Sequence, residues 1–267
     1  MGVTCDLRLI DHRQVVEGGL VAVNRALAAK DPEILRQYIA GMQFTPDPAA
    51  VQSREARLQR LKEVQAPEMI VQNEERLLSL VNGEAYSAAA LAKLSLGELR
   101  EMLGQWGWAA QSYSLDKAWY ELDWFLQPRE GQGELLLHPS RPPVGDPQQT
   151  LLDQALHGAE PSPLDDSRSS IIRTCGSQQP DCFGYNHPSK AAQISAQLEQ
   201  IDPESWEDVV PRRAALYQRA TPSLDTETIE ATVAQELEFA RDALDVMRRA
   251  YAAAAAGQFG VACEYSL

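Results

Sequence analysis

The sequence predicts a helix-rich α+β protein in which a small, mostly antiparallel sheet is covered by helices. Short strand-like segments lie near both ends of the chain and close to residue 185, and segments with helical periodicity fill most of the rest. Hydrophobic residues make up 44% of the 267 residues and charged residues 23%, which is the balance of a folded globular protein. A chain of this length fits one domain with an insertion or two domains.

The N-terminal part predicts one strand and two helices. Residues 3–10 alternate apolar and polar side chains, which indicates a short strand. Residues 11–31 have apolar side chains at helical spacing, although Gly18 and Gly19 weaken the middle of that helix. The second helix follows Asp31, a residue type that is favoured as an N-cap.

Residues 44–105 predict a helical insertion within a domain that spans 1–267. After a proline-rich break, residues 51–63 and 67–83 are strongly helix-forming. Ser95 and Glu98 have the spacing of a capping box, which starts a further helix. Insertions of this kind usually lie on the surface of a fold, where this one either serves recognition or is an elaboration without a partner.

The segment "SLDKAWYELDWFLQP", residues 114–128, predicts a central amphipathic helix with Ser114 as its N-cap and Pro128 at its end. Its predicted buried face consists of Leu115, Ala118, Trp119, Leu122, Phe125 and Leu126.

Strands and helices alternate irregularly in the C-terminal half. The predicted strands are 133–139, 170–176, 182–186 and 258–265, and the predicted helices are 150–158, 187–202, 203–210 and 226–257. The last helix is the clearest, because Ile229, Val233, Leu237, Ala240 and Leu244 form one apolar stripe.

The net charge of the chain indicates which classes of molecule it is expected to bind. The chain has 24 basic and 38 acidic residues, a formal net charge of −14. Such a surface repels phosphate backbones, so nucleic acid is not an expected partner. A basic protein would be attracted, although acidity can also serve solubility alone. The sequence has no run of 18 apolar residues and no signal-peptide pattern, which predicts a cytoplasmic protein without membrane association.

The common catalytic motifs are missing from the sequence, including the nucleophile elbow, the phosphate-binding loop, the dinucleotide fingerprint and the zinc-binding histidine pair. Cys175, Cys182 and His187 match no common zinc spacing and lack a fourth ligand. A nucleophilic pair of Cys182 and His187 would have only Lys190 as a basic neighbour. No metal or cofactor is therefore expected, and the sequence favours a protein that is not an enzyme.

Two groups of residues are candidates for a binding site. On a helix that includes residue 116, Asp116, Tyr120 and Asp123 would lie on one stripe with Trp124 beside it, and His157 or His187 could be brought to it by the fold. Two neighbouring carboxyl groups can perform acid–base chemistry, but Asp116 can also simply favour the helix N-terminus.

The tryptophans form the second group. Trp106, Trp108 and Trp124 lie close together in the sequence and form either an exposed aromatic patch of an interface or an anchor for the helical block.

Several segments resemble, in order, the YfbM-like bacterial proteins, a family defined as a domain of unknown function. They are "MGVTCDLRLI", "SLDKAWYELDWFL", "LLDQALHG", "FGYNHPSKAAQISAQLEQID" and "AYAAAAAGQFGVACEY", and the most specific phrase is "LDK-x-W-x-x-L". The resemblance implies a compact α+β domain with a small sheet under helices. It implies no reaction and no catalytic residues.

Three functions follow as hypotheses. The first is an interaction protein that binds a basic protein, such as an immunity protein that neutralises a bacterial toxin. The second is a small-ligand-binding protein or hydrolase-type enzyme that uses the carboxylate and tyrosine stripe. The third is a homo-oligomer whose tryptophan patch is the self-interface.

Overall fold

The computed structural model describes residues 4–42, 48–105, 109–129, 144–163 and 183–266. The chain divides into two compact units. We call Met1–Val16 together with Trp108–Leu267 the sheet unit, and Glu17–Gly107 the helical unit. The helical unit includes the two helices that precede the predicted insertion at residue 44.

The sheet confirms the predicted α+β class. Its strands are β1 (Thr4–Ile10), β2 (Ala109–Asp116), β3 (Glu160–Pro161), β4 (Phe183–Asn186) and β5 (Gly260–Ser266). Their order is β2-β1-β5-β4-β3, and each neighbouring pair is antiparallel. The strands predicted at 3–10, 182–186 and 258–265 are thus confirmed, whereas those predicted at 133–139 and 170–176 lie outside the described residues.

The described residues of the helical unit form six α-helices and a 3₁₀ helix at Glu84–Tyr86. The α-helices are α1 (Val21–Ala29), α2 (Pro32–Gly41), α3 (Pro48–Glu63), α4 (Glu68–Val81), α5 (Ala88–Leu91) and α6 (Leu96–Gln105), and the π-helical segment His12–Leu20 leads from β1 into α1. Asp31 caps α2 as predicted, since its carboxylate accepts a hydrogen bond from the Glu33 amide. Ser95 and Glu98 form the predicted capping box at the start of α6.

Helices α7 (Trp119–Leu126), α8 (Leu151–His157), α9 (Pro188–Leu198), α10 (Val210–Ala220) and α11 (Thr226–Gly257) belong to the sheet unit, with a 3₁₀ helix at Pro203–Val209. The predicted apolar stripe of the last helix is buried along α11. Its members Leu237, Ala240 and Leu244 lie in one cluster with Leu7 and Leu9 of β1. Burial alternates along β1 up to Leu9, so its other face carries polar residues such as Arg8, which pairs with Glu264 of β5.

The central helix begins later than predicted. Residues 109–116 form β2, which pairs with β1, and the helix starts at Trp119 instead of following Ser114. Leu115 is buried from the strand, so pairing with the edge of β1 overrides the helical spacing of this segment. Asp116 ends β2 with a positive φ of 48°.

Two glycines allow α8 to end against β4. A Cβ atom on Gly184 would overlap the carbonyl oxygen of His157, the last residue of α8. Gly158 follows with a φ of +83°, and a Cβ atom there would overlap the Tyr185 amide nitrogen. The close approach of the two backbones therefore requires glycine at both positions.

Gly184→Ala should lower the free energy of unfolding by about 1–3 kcal/mol, because the overlapping atom belongs to the backbone and cannot rotate away. Gly97→Ala is the matched control, since a Cβ atom at this position of α6 would meet nothing within 4 Å beyond its own chain neighbours and the surrounding helix backbone. This control should leave stability unchanged or raise it by up to about 1 kcal/mol. Urea unfolding measures both changes. Equal stability of the two variants would show that α8 and β4 are not in close contact.

Candidate functional site

Asp116 does not share a helical stripe with Tyr120 and Asp123. It is the last residue of β2, opposite Cys5 of β1, and it is exposed. The predicted i, i+4 and i+7 arrangement is therefore wrong for its first member, because the backbone changes from strand to helix between Asp116 and Trp119.

Tyr120, Asp123 and His157 do come together, around Trp119. The Nε2 atom of His157 lies 3.9 Å from Oδ1 of Asp123, and the two side chains are only 16% and 15% exposed. The Trp119 ring stacks on Tyr120 with a centroid distance of 3.7 Å and meets the His157 ring edge-on at 6.0 Å. The fold thus brings one of the histidines named in the sequence hypothesis to the carboxylate.

This smaller cluster has the elements of a proton-transfer site. His157 lies in the last turn of α8, and Asp123 of α7 is its acidic neighbour. Burial, followed by the Glu121 carboxylate, raises the pKa of Tyr120 and keeps its hydroxyl protonated. A carboxylate beside an imidazole can orient the ring for acid–base chemistry.

Trp124 is buried, so its predicted place in an exposed aromatic patch is wrong. Only 1% of the residue is accessible. The guanidinium of Arg213 lies over its ring at 4.9 Å from the centroid, and its indole Nε1 donates a hydrogen bond to the Arg129 carbonyl at 3.2 Å. Helical spacing placed Trp124 on the solvent side of α7, but α10 supplies a cation that covers the ring.

Arg213 is the centre of a buried ionic cluster that joins three helices. The residue is fully buried, and Nε and one terminal nitrogen bind the two carboxylate oxygens of Glu236 on α11 at 2.8 and 3.2 Å. The Tyr217 hydroxyl also donates to Glu236, and the guanidinium lies 5.3 Å from the Tyr217 ring centre. This bidentate geometry fixes α10 to α11 while Trp124 of α7 stacks on the same guanidinium.

Glu121 of α7 adds a second carboxylate near this cluster. Burial, together with repulsion from Glu236, raises the pKa of Glu121, while Arg213 opposes the rise. Burial and the hydrogen bond to Glu236 likewise raise the pKa of Tyr217 well above its ordinary value. One guanidinium therefore compensates two neighbouring acids, and the cluster is best understood as a structural element of the core.

Trp106 and Trp108 lie outside the described residues, so the remainder of the predicted tryptophan patch stays a prediction.

An apolar surface that was not predicted from the sequence is exposed at the turn between α3 and α4. Val64, Met69 and Ile70 are 72%, 77% and 46% exposed, and we call these three residues the hairpin tip. They are three of the five large hydrophobic residues that are exposed within the described part of the chain. Scattered exposed apolar residues are normal, but three within seven residues of one turn mark a candidate contact surface. Its signal in the sequence is the segment "EVQAPEMI", where apolar residues lie on both sides of a proline turn.

The sides of the α3–α4 hairpin are held by ion pairs. Arg54 and Arg57 both contact the buried carboxylate of Glu74, at 2.9 and 3.3 Å, and Lys62 contacts Glu75 at 2.7 Å. These pairs fix the two helices side by side, so the hairpin tip is presented on a defined support.

Negative charge is concentrated in the sheet unit. Its sequence has 26 acidic and 14 basic residues, a net charge of −12, whereas the helical unit has 12 acidic and 10 basic residues, a net charge of −2. Most of the net negative charge therefore belongs to the sheet unit, whereas the hairpin tip belongs to the nearly neutral helical unit.

Comparison with known proteins found no matching family model, no matching curated protein and no matching solved structure. The resemblance to the YfbM-like family therefore remains a prediction. Among the described residues, no helix is both long and apolar enough to cross a membrane. The same residues contain no group of three or more histidine, cysteine or acidic side chains that could hold a metal ion.

Proposed function

We propose that this chain is an interaction protein that binds a basic protein, with the hairpin tip inserted into an apolar groove of that partner. The observation that carries the proposal is the exposure of Val64, Met69 and Ile70 at one turn. Interfaces concentrate their binding energy in a few apolar anchors that become fully desolvated, surrounded by a polar rim. Lys62, Glu63 and Glu68 supply such a rim here.

The convex shape of a helical turn suits a concave partner. Two protruding tips of three side chains each would bury far less than the roughly 800 Å² per partner of a stable complex, which argues against tip-to-tip self-association. A groove that surrounds the turn and the adjacent helix ends buries more surface for the same three anchors. Recognition of helical segments in apolar grooves is a common mode of protein binding.

The net charge of the chain supports a basic partner. A net charge of −14 accelerates the approach of a cationic protein through long-range attraction, without requiring that each acid contact it. A small acidic protein that captures a basic one in this way has the properties of an immunity protein that neutralises a toxin. We propose this as the biological role.

Affinity capture tests the proposal. The tagged full-length chain is exposed to its native cell lysate at about 50 mM and about 300 mM salt, and bound proteins are identified by mass spectrometry. The expected result is one basic protein that is retained at low salt and reduced at the higher salt. Recovery of the chain alone at both salt concentrations, or capture of an acidic protein, would contradict it.

A second function has one specific observation in its favour, the 3.9 Å approach of His157 to Asp123 beside Trp119 and Tyr120. This cluster supports a small-ligand site with acid–base capacity in place of the original stripe. Asp116 is not included in it. If a His157→Gln variant captures the protein partner with the same yield as the native chain does, this cluster plays no part in the interaction proposed above.

A further inference from the structure

One of the three side chains of the hairpin tip is a methionine, whose sulfur atom can be oxidised. Met69 is 77% exposed, the largest exposed fraction among the exposed large hydrophobic residues in the described part of the chain. Its flexible thioether suits an anchor that adapts to an apolar groove. Oxidation to the sulfoxide converts the same side chain into a polar one. The hairpin tip therefore carries a group whose polarity can be changed covalently.

The other described methionines are better shielded from an oxidant in solution. Met102 of α6 is 8% exposed, and Met247 of α11 is fully buried. Met42, which follows α2, is partly buried. Met1 lies outside the described residues. Because oxidation requires access to the sulfur atom, the fold favours reaction at Met69 over the other three described methionines.

The support of the hairpin tip does not depend on the Met69 side chain. Arg54 and Lys62 of α3 pair with Glu74 and Glu75 of α4, at 2.9 and 2.7 Å, and hold the two helices together. Met69 lies in the first turn of α4. The first turn of a helix has backbone amides without helical acceptors, so a sulfoxide oxygen is tolerated there as an acceptor. Oxidation should therefore change the surface and leave the fold intact.

We propose that a peroxide oxidises Met69 to its sulfoxide and thereby weakens partner binding, so that the hairpin tip is a redox-regulated contact. This inference rests on the proposed function. The sulfur lone pair attacks one oxygen of hydrogen peroxide, an S–O bond forms as the O–O bond breaks, and the second oxygen leaves as water with both protons. Sulfur loses two electrons and the peroxide gains them. Two thiols of a sulfoxide reductase reverse the step, because they form a disulfide and release the oxygen as water.

The change in polarity determines the size of the effect. An apolar anchor contributes to binding through the surface that it removes from water, and a sulfoxide adds an acceptor that an apolar groove leaves without a donor. Binding of the basic partner should therefore weaken about tenfold or more. The salt dependence of association should not change, because oxidation to the sulfoxide leaves the net charge the same.

Peptide mass mapping after mild treatment of the full-length chain with hydrogen peroxide tests the selectivity. Met69 should gain one oxygen atom before Met42, Met102 and Met247 do, and all four should react at similar rates in urea. Met1 is followed in its own peptide. If Met69 reacts no faster than Met42 in the folded chain, the proposal is wrong.

Retention on a phenyl column measures the exposed apolar surface without any partner. The oxidised native chain should elute earlier in a descending salt gradient than the untreated chain, because high salt strengthens apolar contacts and the sulfoxide has lost one. Met69→Leu is the matched control, since leucine keeps an apolar side chain but has no sulfur atom. Peroxide should leave the elution of this variant unchanged. An equal shift of the native chain and the variant, or no shift of either, would overturn the proposal.

Capture from the native cell lysate, after the peroxide has been removed, connects oxidation with binding. The basic protein retained by the untreated chain should be reduced about tenfold after oxidation and restored by a methionine sulfoxide reductase, whereas Met69→Leu should retain it throughout. If Val64→Thr with Met69→Gln reduces capture but oxidation does not, the regulation is wrong and the proposed function stands. If neither change reduces capture, the hairpin tip is not the interface and both proposals fail.

Discussion

Arg213→Met should lower the free energy of unfolding by about 3–5 kcal/mol, the largest change that we expect from a single substitution in this chain. Methionine fills much of the same space but leaves Glu236 without the cation that binds both of its oxygens. Glu121, whose pKa is already raised, loses the same compensation. Urea unfolding at neutral pH measures the loss.

The pH dependence identifies the cause of that loss. Without Arg213, the folded-state pKa of Glu121 rises further above the unfolded value of about 4.3. The penalty is present while the Glu121 carboxyl group is ionised and is removed as pH falls through its raised folded-state pKa. The difference between variant and native chain should therefore shrink from neutral pH toward pH 4–5.

A double variant supplies the control for Arg213. Arg213→Met with Glu236→Gln removes the buried charge as well as its partner, and glutamine still accepts the Tyr217 hydrogen bond. It should be more stable than Arg213→Met alone at neutral pH. A loss below about 1 kcal/mol for the single variant, or a double variant that is equally unstable, would show that the ion pair does not stabilise this core.

Replacing two residues of the hairpin tip, Val64→Thr with Met69→Gln, should weaken partner binding by about 3 kcal/mol, or roughly 100-fold in Kd. Both changes keep the size and charge of the side chains and remove only apolar surface. The loss should appear in the dissociation rate, because truncated anchors change koff whereas long-range charge changes kon. Biosensor kinetics with the captured partner measure both rates.

The native fold should tolerate these two substitutions. Val64 and Met69 are 72% and 77% exposed, so the free energy of unfolding should change by less than about 0.5 kcal/mol. Val21→Thr is the matched control, since Val21 is also an exposed apolar residue of the helical unit, at 49%. If the tip variant and the Val21 variant bind the partner with equal affinity, the hairpin tip is not part of the interface.

Local patterns predicted most of the described fold. The period of two in residues 3–10 predicted β1, and the stripe from Ile229 to Leu244 predicted the buried face of α11. Caps at Asp31 and Ser95 were correct, because a cap depends only on neighbouring backbone groups. These features are encoded within a few residues of one another.

Sequence patterns did not predict the features that depend on contacts between residues far apart in the chain. Residues 109–116 have a strand conformation because β1 offers a free edge, and this overrides the helical spacing from Ser114 onwards. Trp124 is buried because Arg213, on a different helix, covers its ring. His12 and His187 meet only because β1 and β4 end at one edge of the sheet. Tertiary pairing determined each of these outcomes.

The candidate binding site was predicted only in part. Tyr120, Asp123 and His157 were named from the sequence and do come together, because α7 and α8 pack side by side. The exposed Val64, Met69 and Ile70 were not recognised, since helical periodicity gives no measure of whether a partner element covers an apolar residue. Exposure is a property of the whole fold.

The most direct test of the proposed interaction is the association rate constant of the purified pair at salt concentrations from about 20 to about 300 mM. The concentrated negative charge predicts that kon falls by about tenfold or more over this range while koff changes little. A kon that is independent of salt, or that rises with it, would contradict capture of a basic protein by this acidic chain.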